Sequence, residues 1–450
     1  MPALAIAALP PGPKSRFPGH MILRMTRERI DLIREMAREY GDVSQIMLGR
    51  QPIVLLTNPD DIKDVLVTHQ RSFRKGQALE RAKVLIGDGL LTAEGELHLK
   101  QRRLVQPAFH RARIAAYAGA MTGAAMTQQA KWRNGLQLDA NRAMMMVTLD
   151  IVAATLFGAD VGDEGSEIGT ALDDVFEAFT IGYGPLTPLL DILPTPKKRR
   201  FTAGKRRVDA TIDRIISQRR ASGEDTGDLL SMLLHATDTE GDGTGMSDQQ
   251  LRDEAITLFI AGHETTANAL TWTWLLLART PDAERALHEE VDRVLGDRLP
   301  TMDDLAQLPF TRAIIAESMR LFPPAYIIGR RSTEPYHIRE YEFAPRTLFL
   351  SPQFIVHRDP RWWPDPDRFM PRRWLDAAAT AARPKMAYFP FGAGTRICVG
   401  EQFAWMEAIL VLATLARRWR VCVDGPDPEL EPIITLRPKG GLPARLEARR

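Results

Sequence analysis

Ten consecutive residues, Phe391-Gly392-Ala393-Gly394-Thr395-Arg396-Ile397-Cys398-Val399-Gly400, set a thiol among glycines and an arginine. A lone cysteine in apolar surroundings is usually structural. Here the glycines let the backbone approach something closely or adopt positive φ. Arg396 puts a permanent positive charge two residues from the sulfur. That charge helps hold a thiolate, and it also suits an anionic ligand group. A helical run over 401–418 follows, and its N-terminal amides add positive potential beside the sulfur. Together these features suit a thiolate metal ligand.

A second group is Ala261-Gly262-His263-Glu264-Thr265-Thr266, within a long apolar stretch. Glycine inside a helix costs roughly 1 kcal/mol relative to alanine. A glutamate and two threonines there, if buried, each need a partner or a task. Gly262 with the threonine hydroxyls can open the helix locally and make room for small ligands and water. The alternative is a polar helix face or satisfied core threonines. Two charged pairs complete the set. His98 and Arg102 share a helix face at i, i+4 and suit an anion, although their stretch is basic throughout. Glu317 and Arg320, at i, i+3, form a pair that is common on surfaces.

The elements that must position these residues are mostly helices. Ser247 and Gln250 form a capping box, and the apolar period then runs to Arg279-Thr280-Pro281. That predicts one buried helix of roughly 48 Å, long enough to cross the molecule. Helices are also predicted around 25–40, 60–69, 97–133, 139–157 and 167–183. Strands are predicted at 43–48 and 52–57, split by Gly49-Arg50-Gln51. Residues 182–196 read as a surface loop, and 223–245 as an exposed polar connection.

The chain has 450 residues with 59 Lys and Arg against 57 Asp and Glu, a formal net charge of +2. That balance gives no case for nucleic-acid binding. Two cysteines, Cys398 and Cys422, make no disulfide framework and fit a reducing cytoplasm; Cys422 reads as a buried small hydrophobe. The N-terminal apolar run is too short to span a bilayer and lacks a charged leader, so no transmembrane anchor is expected.

The cysteine segment resembles the haem-binding loop of the cytochrome P-450 family, Phe-x-x-Gly-x-Arg-x-Cys-x-Gly, at every fixed position. The resemblance extends from Pro10 to the C-terminus, with the motifs in the family's order; it is weakest in 70–90 and 170–205. It implies a mainly α fold with small β-sheets, a single domain over 1–450 with a flexible Pro-rich segment at 1–13, and one haem b ligated by Cys398, whose thiolate favours O–O cleavage. Phe391 would pack near the sulfur and Arg396 would pair with a propionate. His98, where much of the family has Trp, Arg102 and Arg330 would reach propionates, Arg331 being the wrong neighbour. Ala261 would leave space over the iron, Thr265 would hydrogen-bond the dioxygen being activated, and Glu264 would feed protons through water. Glu317 and Arg320 would be clamped by Arg373, despite Arg372 and Trp374 standing where the family usually has Glu and Phe.

The implied activity is monooxygenation of a C–H bond or double bond in a lipophilic molecule such as a terpenoid, fatty acid or steroid. Electrons would come from NAD(P)H through a separate ferredoxin or flavodoxin-type donor, docked on the basic stretch 100–113. Apolar residues at 79–90 and 181–193 would suit such a substrate, or would only pack their loops. Two other classes remain. A peroxide-dependent or rearranging haem-thiolate enzyme is disfavoured by the intact Glu264-Thr265 pair. A non-catalytic docking module of this fold is disfavoured by Cys398, Thr265 and Glu317/Arg320.

Overall fold

The computed structural model describes residues 9–158, 195–223 and 225–449. The helix predicted at 167–183 and the apolar residues of 181–193 lie outside them, as do residues 1–8 of the N-terminal segment.

A single helix, Asp248–Arg279, forms the axis of the molecule. Ser247 accepts from the Gln250 amide, and the Gln250 side chain returns a bond to the Ser247 amide. This is the capping box read from sequence, and it satisfies two of the orphan donors at the helix start. Most of the helix is buried, packed chiefly against helix Ala140–Phe157 and also against Pro309–Leu321 and Glu401–Ala416. Trp272 stacks on Phe322 at 4.3 Å between ring centroids, and its indole N–H donates to Leu436 O at 2.9 Å. Helix Ala140–Phe157 is, among the described residues, the one long and apolar enough to cross a membrane, but most of it is buried inside the fold.

The strands form small separate sheets. The largest has the spatial order Val43–Leu48, Gln51–Leu56, Leu348–Ser351, Ile328–Ser332, Phe73–Lys75. Its pairings are antiparallel except between Gln51–Leu56 and Leu348–Ser351. The architecture is therefore mainly α with small sheets, as the sequence indicates.

Three local expectations need correction. The stretch 97–133 is not one helix but Gly95–Val105, a 3-10 turn at Gln106–Phe109, Arg111–Ala116 and Ala118–Gln129. Pro107 breaks it, because proline removes an amide donor and clashes with the preceding turn. The predicted 25–40 helix starts earlier, as His20–Arg27 and Arg29–Glu39. The connection 223–245 is not simply exposed: it carries helix Leu229–His235, capped by Asp228, with Leu229, Leu230 and Leu233 buried.

The charged pair of helix Pro309–Leu321 lies in the interior. Arg320 Nε donates to Glu317 Oε2 and Nη2 to Oε1, both at 2.8 Å, with neither side chain exposed. Arg373 Nε reaches Glu317 Oε1 at 3.1 Å. Trp374 donates its indole N–H to Glu317 Oε2 at 2.8 Å, so the departure at that position supplies a further donor to the clamp. Arg320 also donates to the carbonyls of His357, Pro366 and Arg368, which ties this helix to the segment leading to the cysteine.

Candidate active site

The cysteine loop is held open in a defined shape by its glycines. Gly392 and Gly394 have φ of 75° and 73°. A Cβ on Gly394 would stand 2.2 Å from Leu66 O and 2.6 Å from Gln70 Oε1. Only glycine fits both the angle and the approach. Gln70 then accepts from the Thr395 amide at 2.8 Å and its hydroxyl at 2.9 Å. The Cys398 amide donates to Phe391 O at 2.9 Å, closing the loop on itself. The Phe391 ring packs on Trp405 at 5.8 Å, and helix Glu401–Ala416 starts directly after Gly400.

Cys398 is exposed, yet burial pushes its thiol up to about 11, with the Gly400 amide and Arg102 opposing and Glu401 reinforcing. A sulfur reachable by water but surrounded by protein faces an internal chamber. The central helix has a matching feature. Ala261 is exposed and Gly262 and Thr265 are partly exposed, whereas His263, Glu264 and Thr266 are buried. Residues 261 and 265 stand one turn apart on one face. An open face in the middle of a core helix lines an interior space. Helix Glu401–Ala416, which starts directly after the cysteine loop, packs on the central helix with Glu407 beside Thr266.

Arg396 does not act on the sulfur as its sequence position suggests. Its guanidinium pairs with Glu94 and donates to Ala93 O at 3.0 Å. The cation that does act on Cys398 is Arg102, whose Nη1 donates to Ile397 O at 2.7 Å.

Five basic side chains converge here: Lys75, His98, Arg102, Arg330 and Arg396. Burial, then the charges of Arg396, Lys75, Arg102 and Arg330, depress His98 to about 3. Lys75 falls to about 6 from burial, then from Arg396, with Glu94 opposing. Burial lowers Arg330 to about 10, with Arg396 adding and Glu94 opposing. Lys75 and Arg330 stand directly opposite across two antiparallel strands, a like-charge pairing that is unfavourable by itself. Arg331, the next residue, instead pairs with Glu80. Glu94 is the carboxylate paired at this cluster. The half-buried guanidinium groups of Arg102, Arg330 and Arg396, with Glu94 as their paired carboxylate, fit a dianionic group, and the accessible sulfur fits the metal at its centre; an iron porphyrin with two propionates has both properties. Lys75 and Glu94 were not found from sequence, because the pairing of residue 75 with residue 330 is long-range.

Thr265 Oγ1 donates to Ala261 O at 2.7 Å, and the helix stays α-helical throughout. Glu264 turns away from that face. Its Oε1 accepts from Thr435 Oγ1 at 2.5 Å, Thr435 accepts from Asn268 at 3.0 Å, and Asn268 accepts from Asn141 at 3.1 Å. Glu264 and Thr265 are thus adjacent in sequence but face different surroundings. Burial holds the Glu407 carboxyl well above the usual range. Its signal in the sequence was a single acid inside the apolar run Trp405-Met406-Glu407-Ala408-Ile409. In the 77–91 region, Leu85, Ile86 and Leu90 are packed in a core cluster with Val152, Phe157 and Phe259, and Val84 is exposed.

A sequence profile for cytochrome P-450 matches residues 10–443. The chain is 40% identical over 406 residues to cyclooctatin synthase of Streptomyces melanosporofaciens, covering 90% of this chain and 87% of that protein. It is 36% identical to cyclooctat-9-en-7-ol 5-monooxygenase of the same organism, covering 85% and 83%. With pentalenene oxygenase of Streptomyces avermitilis it is 34% identical, covering 88% and 87%.

Proposed function

The chain belongs to the cytochrome P-450 family, and from that premise we propose that it oxygenates a polycyclic terpenoid in the chamber between Cys398 and the 261–265 face. It is a haem-thiolate monooxygenase, an oxidoreductase acting on a lipophilic small molecule. The terpenoid assignment is supported by relatives named for cyclooctatin, cyclooctat-9-en-7-ol and pentalenene. Haem, when bound, supplies the activation of O2 and the transfer of one oxygen atom to the substrate. The observation that carries the reading is the accessible Cys398 sulfur beside a cluster of five basic side chains in which Glu94 is the ion-paired carboxylate.

In this reading Cys398 Sγ would hold the haem iron. Lys75, Arg102, Arg330 and Arg396 would hold the propionates, with His98 as a neutral neighbour. Phe391 backs the loop through its carbonyl and ring. Ala261, with only a methyl group, leaves room for substrate. The Thr265 hydroxyl, already oriented by Ala261 O, holds a proton at the chamber wall. Glu264, whose carboxylate accepts from Thr435 Oγ1 on the other side of the helix, is the group that would hold a proton for delivery through water. The whole chain 1–450 acts as one haem-binding unit.

Electrons come from NAD(P)H through a ferredoxin or flavodoxin-type donor in the cytoplasm. Part of the basic stretch 100–113 is already neutralised: Lys100 pairs with Asp242 and Arg103 with Asp238. Arg111 and Arg113 remain exposed, close to Phe109, which packs edge-on to Phe403 at 6.3 Å just after the cysteine loop. These two arginines are the docking charges in this reading. The test is incubation of the purified protein with a ferredoxin, its reductase, NADPH, a panel of polycyclic diterpenes and sesquiterpenes, and isotopically heavy dioxygen. A terpenoid product carrying one heavy oxygen atom supports the reading. Turnover of fatty acids or steroids with no terpenoid product refutes the substrate class.

A further inference from the structure

The basic cluster that fits a dianion already holds a carboxylate. Glu94 stands at the N-cap of helix Gly95–Val105, yet its side chain makes no capping bond to that helix. It turns to the cluster instead. Oε1 accepts from the Lys75 amide at 2.7 Å, and Oε2 pairs with the Arg396 guanidinium. The carbonyl before it serves the same two residues: Ala93 O accepts from Lys75 Nζ at 3.1 Å and from Arg396 Nη1 at 3.0 Å. Residues 93 and 94 thus tie strand Phe73–Lys75 to the cysteine loop, and donors from two distant segments fix the carboxylate in place.

The charge is also poorly screened. Glu94 is 25% exposed and Arg396 16%, and partly buried pairs are screened much less than charges at the open surface. Its reach covers three cations: burial weakens the hold of Lys75, Arg330 and Arg396 on their protons, and the charge of Glu94 opposes this at each. Glu254 of the central helix acts on Lys75 alone of these. The remaining bonds of the cations go to neutral carbonyls: Arg102 donates to Ile397 O at 2.7 Å, Arg330 to Gly329 O at 3.0 Å and Lys75 Nζ to Leu90 O at 2.9 Å. An anion paired with Arg396 competes with a propionate for it. A fixed negative charge beside the propionates also disfavours an added electron on the group they belong to.

We propose that Glu94 is a resident counter-anion of the haem site: its charge lowers the reduction potential of the bound haem and weakens the hold on one propionate. Glu94 touches neither substrate nor iron. It is a positioning residue, acting through Arg396 and Lys75. The inference rests on the haem reading of the Cys398 site, and the experiment separates the two. All proteins are full-length and haem-loaded, checked by the reduced carbon-monoxide spectrum. A parent without the thiolate band overturns the haem reading and this inference with it; a parent with the band and a potential indifferent to Glu94 overturns this inference alone.

The midpoint potential of the ferric–ferrous couple is measured by spectroelectrochemistry without substrate, and haem loss by transfer to excess apomyoglobin. Glu94→Gln keeps the side-chain length and an acceptor oxygen but not the charge. Its ferrous-to-ferric ratio at a fixed applied potential should rise about tenfold, an upward shift of about 59 mV for one electron. Its haem should leave about tenfold more slowly, since the propionate no longer competes with a charge-assisted bond. Glu94→Ala, which also loses the anchor to the Lys75 amide, should show the same potential as Glu94→Gln. Glu94→Asp, which keeps the charge, should stay at the parent potential. Should Glu94→Gln not fold, Glu94→Ala against Glu94→Asp carries the same comparison. An unmoved potential in the charge-free variants overturns the proposal, as does faster haem loss from a folded Glu94→Gln. So does a potential that moves in Glu94→Ala but not in Glu94→Gln, which would make Glu94 an anchor for the loop and not a source of charge.

Discussion

Burial pushes the Cys398 thiol up to about 11, while the ligating species is the thiolate, so the anion at this position depends on the metal that replaces the proton. The same logic governs the basic cluster, where mutual repulsion is relieved once propionates arrive. Lys75 makes this measurable. Its amine falls from 10.5 to about 6, so between these values the folded apoprotein binds fewer protons than the unfolded chain. Apoprotein stability therefore rises with pH across that window, and the penalty is greatest below 6. The urea midpoint of the apoprotein should climb from pH 6 to pH 9, and Lys75→Met should flatten the climb; an unchanged slope in the variant removes Lys75 from the cluster. At Thr265, replacement by Ala should cut product formed per NADPH consumed by about tenfold, with the carbon-monoxide band retained; undiminished coupling would leave the hydroxyl without a proton-handling role. Cys398, Thr265 and Glu264 were legible because each is an unusual residue type in its local run. Arg396's pairing with Glu94 and the facing of Lys75 by Arg330 were not, since they arise from contacts between distant segments.

Among the elements, the central helix was the most legible, because its cap and its apolar period are local signals. Helix Leu229–His235 was missed because its leucines are flanked by glycines and acids that read as a loop. The clamp on helix Pro309–Leu321 shows the same division. Its i, i+3 pair was visible, but not the Trp374 indole that completes it. With Arg320 and Arg373 both directed at one buried carboxylate, Glu317→Ala strands two cations and should cost about 3–5 kcal/mol. Trp374→Phe removes one donor and should cost about 1–2 kcal/mol. Urea denaturation followed by tryptophan fluorescence and by haem absorbance measures both. Equal losses in the two variants would mean that the indole bond is worth as much as the ion pair, contrary to this account.

Over the whole molecule the formal charge is only +2, so any electrostatic steering has to come from local patches. With Lys100 and Arg103 already paired, the proposed donor docking would fall to Arg111 and Arg113. Arg111→Glu/Arg113→Glu should slow reduction by an acidic ferredoxin about tenfold at low salt. The gap should narrow as ionic strength approaches physiological values, where the screening length is about 8 Å. A Lys100→Glu protein slowed as much as the double variant would place the docking face elsewhere. The fold class was readable from the order of motifs along the chain. The chamber was not, because it is made by the 261–265 face, the cysteine loop and the strand pair at 75 and 330, which meet only in three dimensions. Thiolate ligation of haem by Cys398 is the claim on which the rest depends. The most direct measurement is the dithionite-reduced, carbon-monoxide difference spectrum of the purified protein beside that of Cys398→Ala. This account predicts the red-shifted Soret band of thiolate-ligated haem in the parent and its loss in the variant. A folded parent without that band, or a variant that keeps it, would contradict the account.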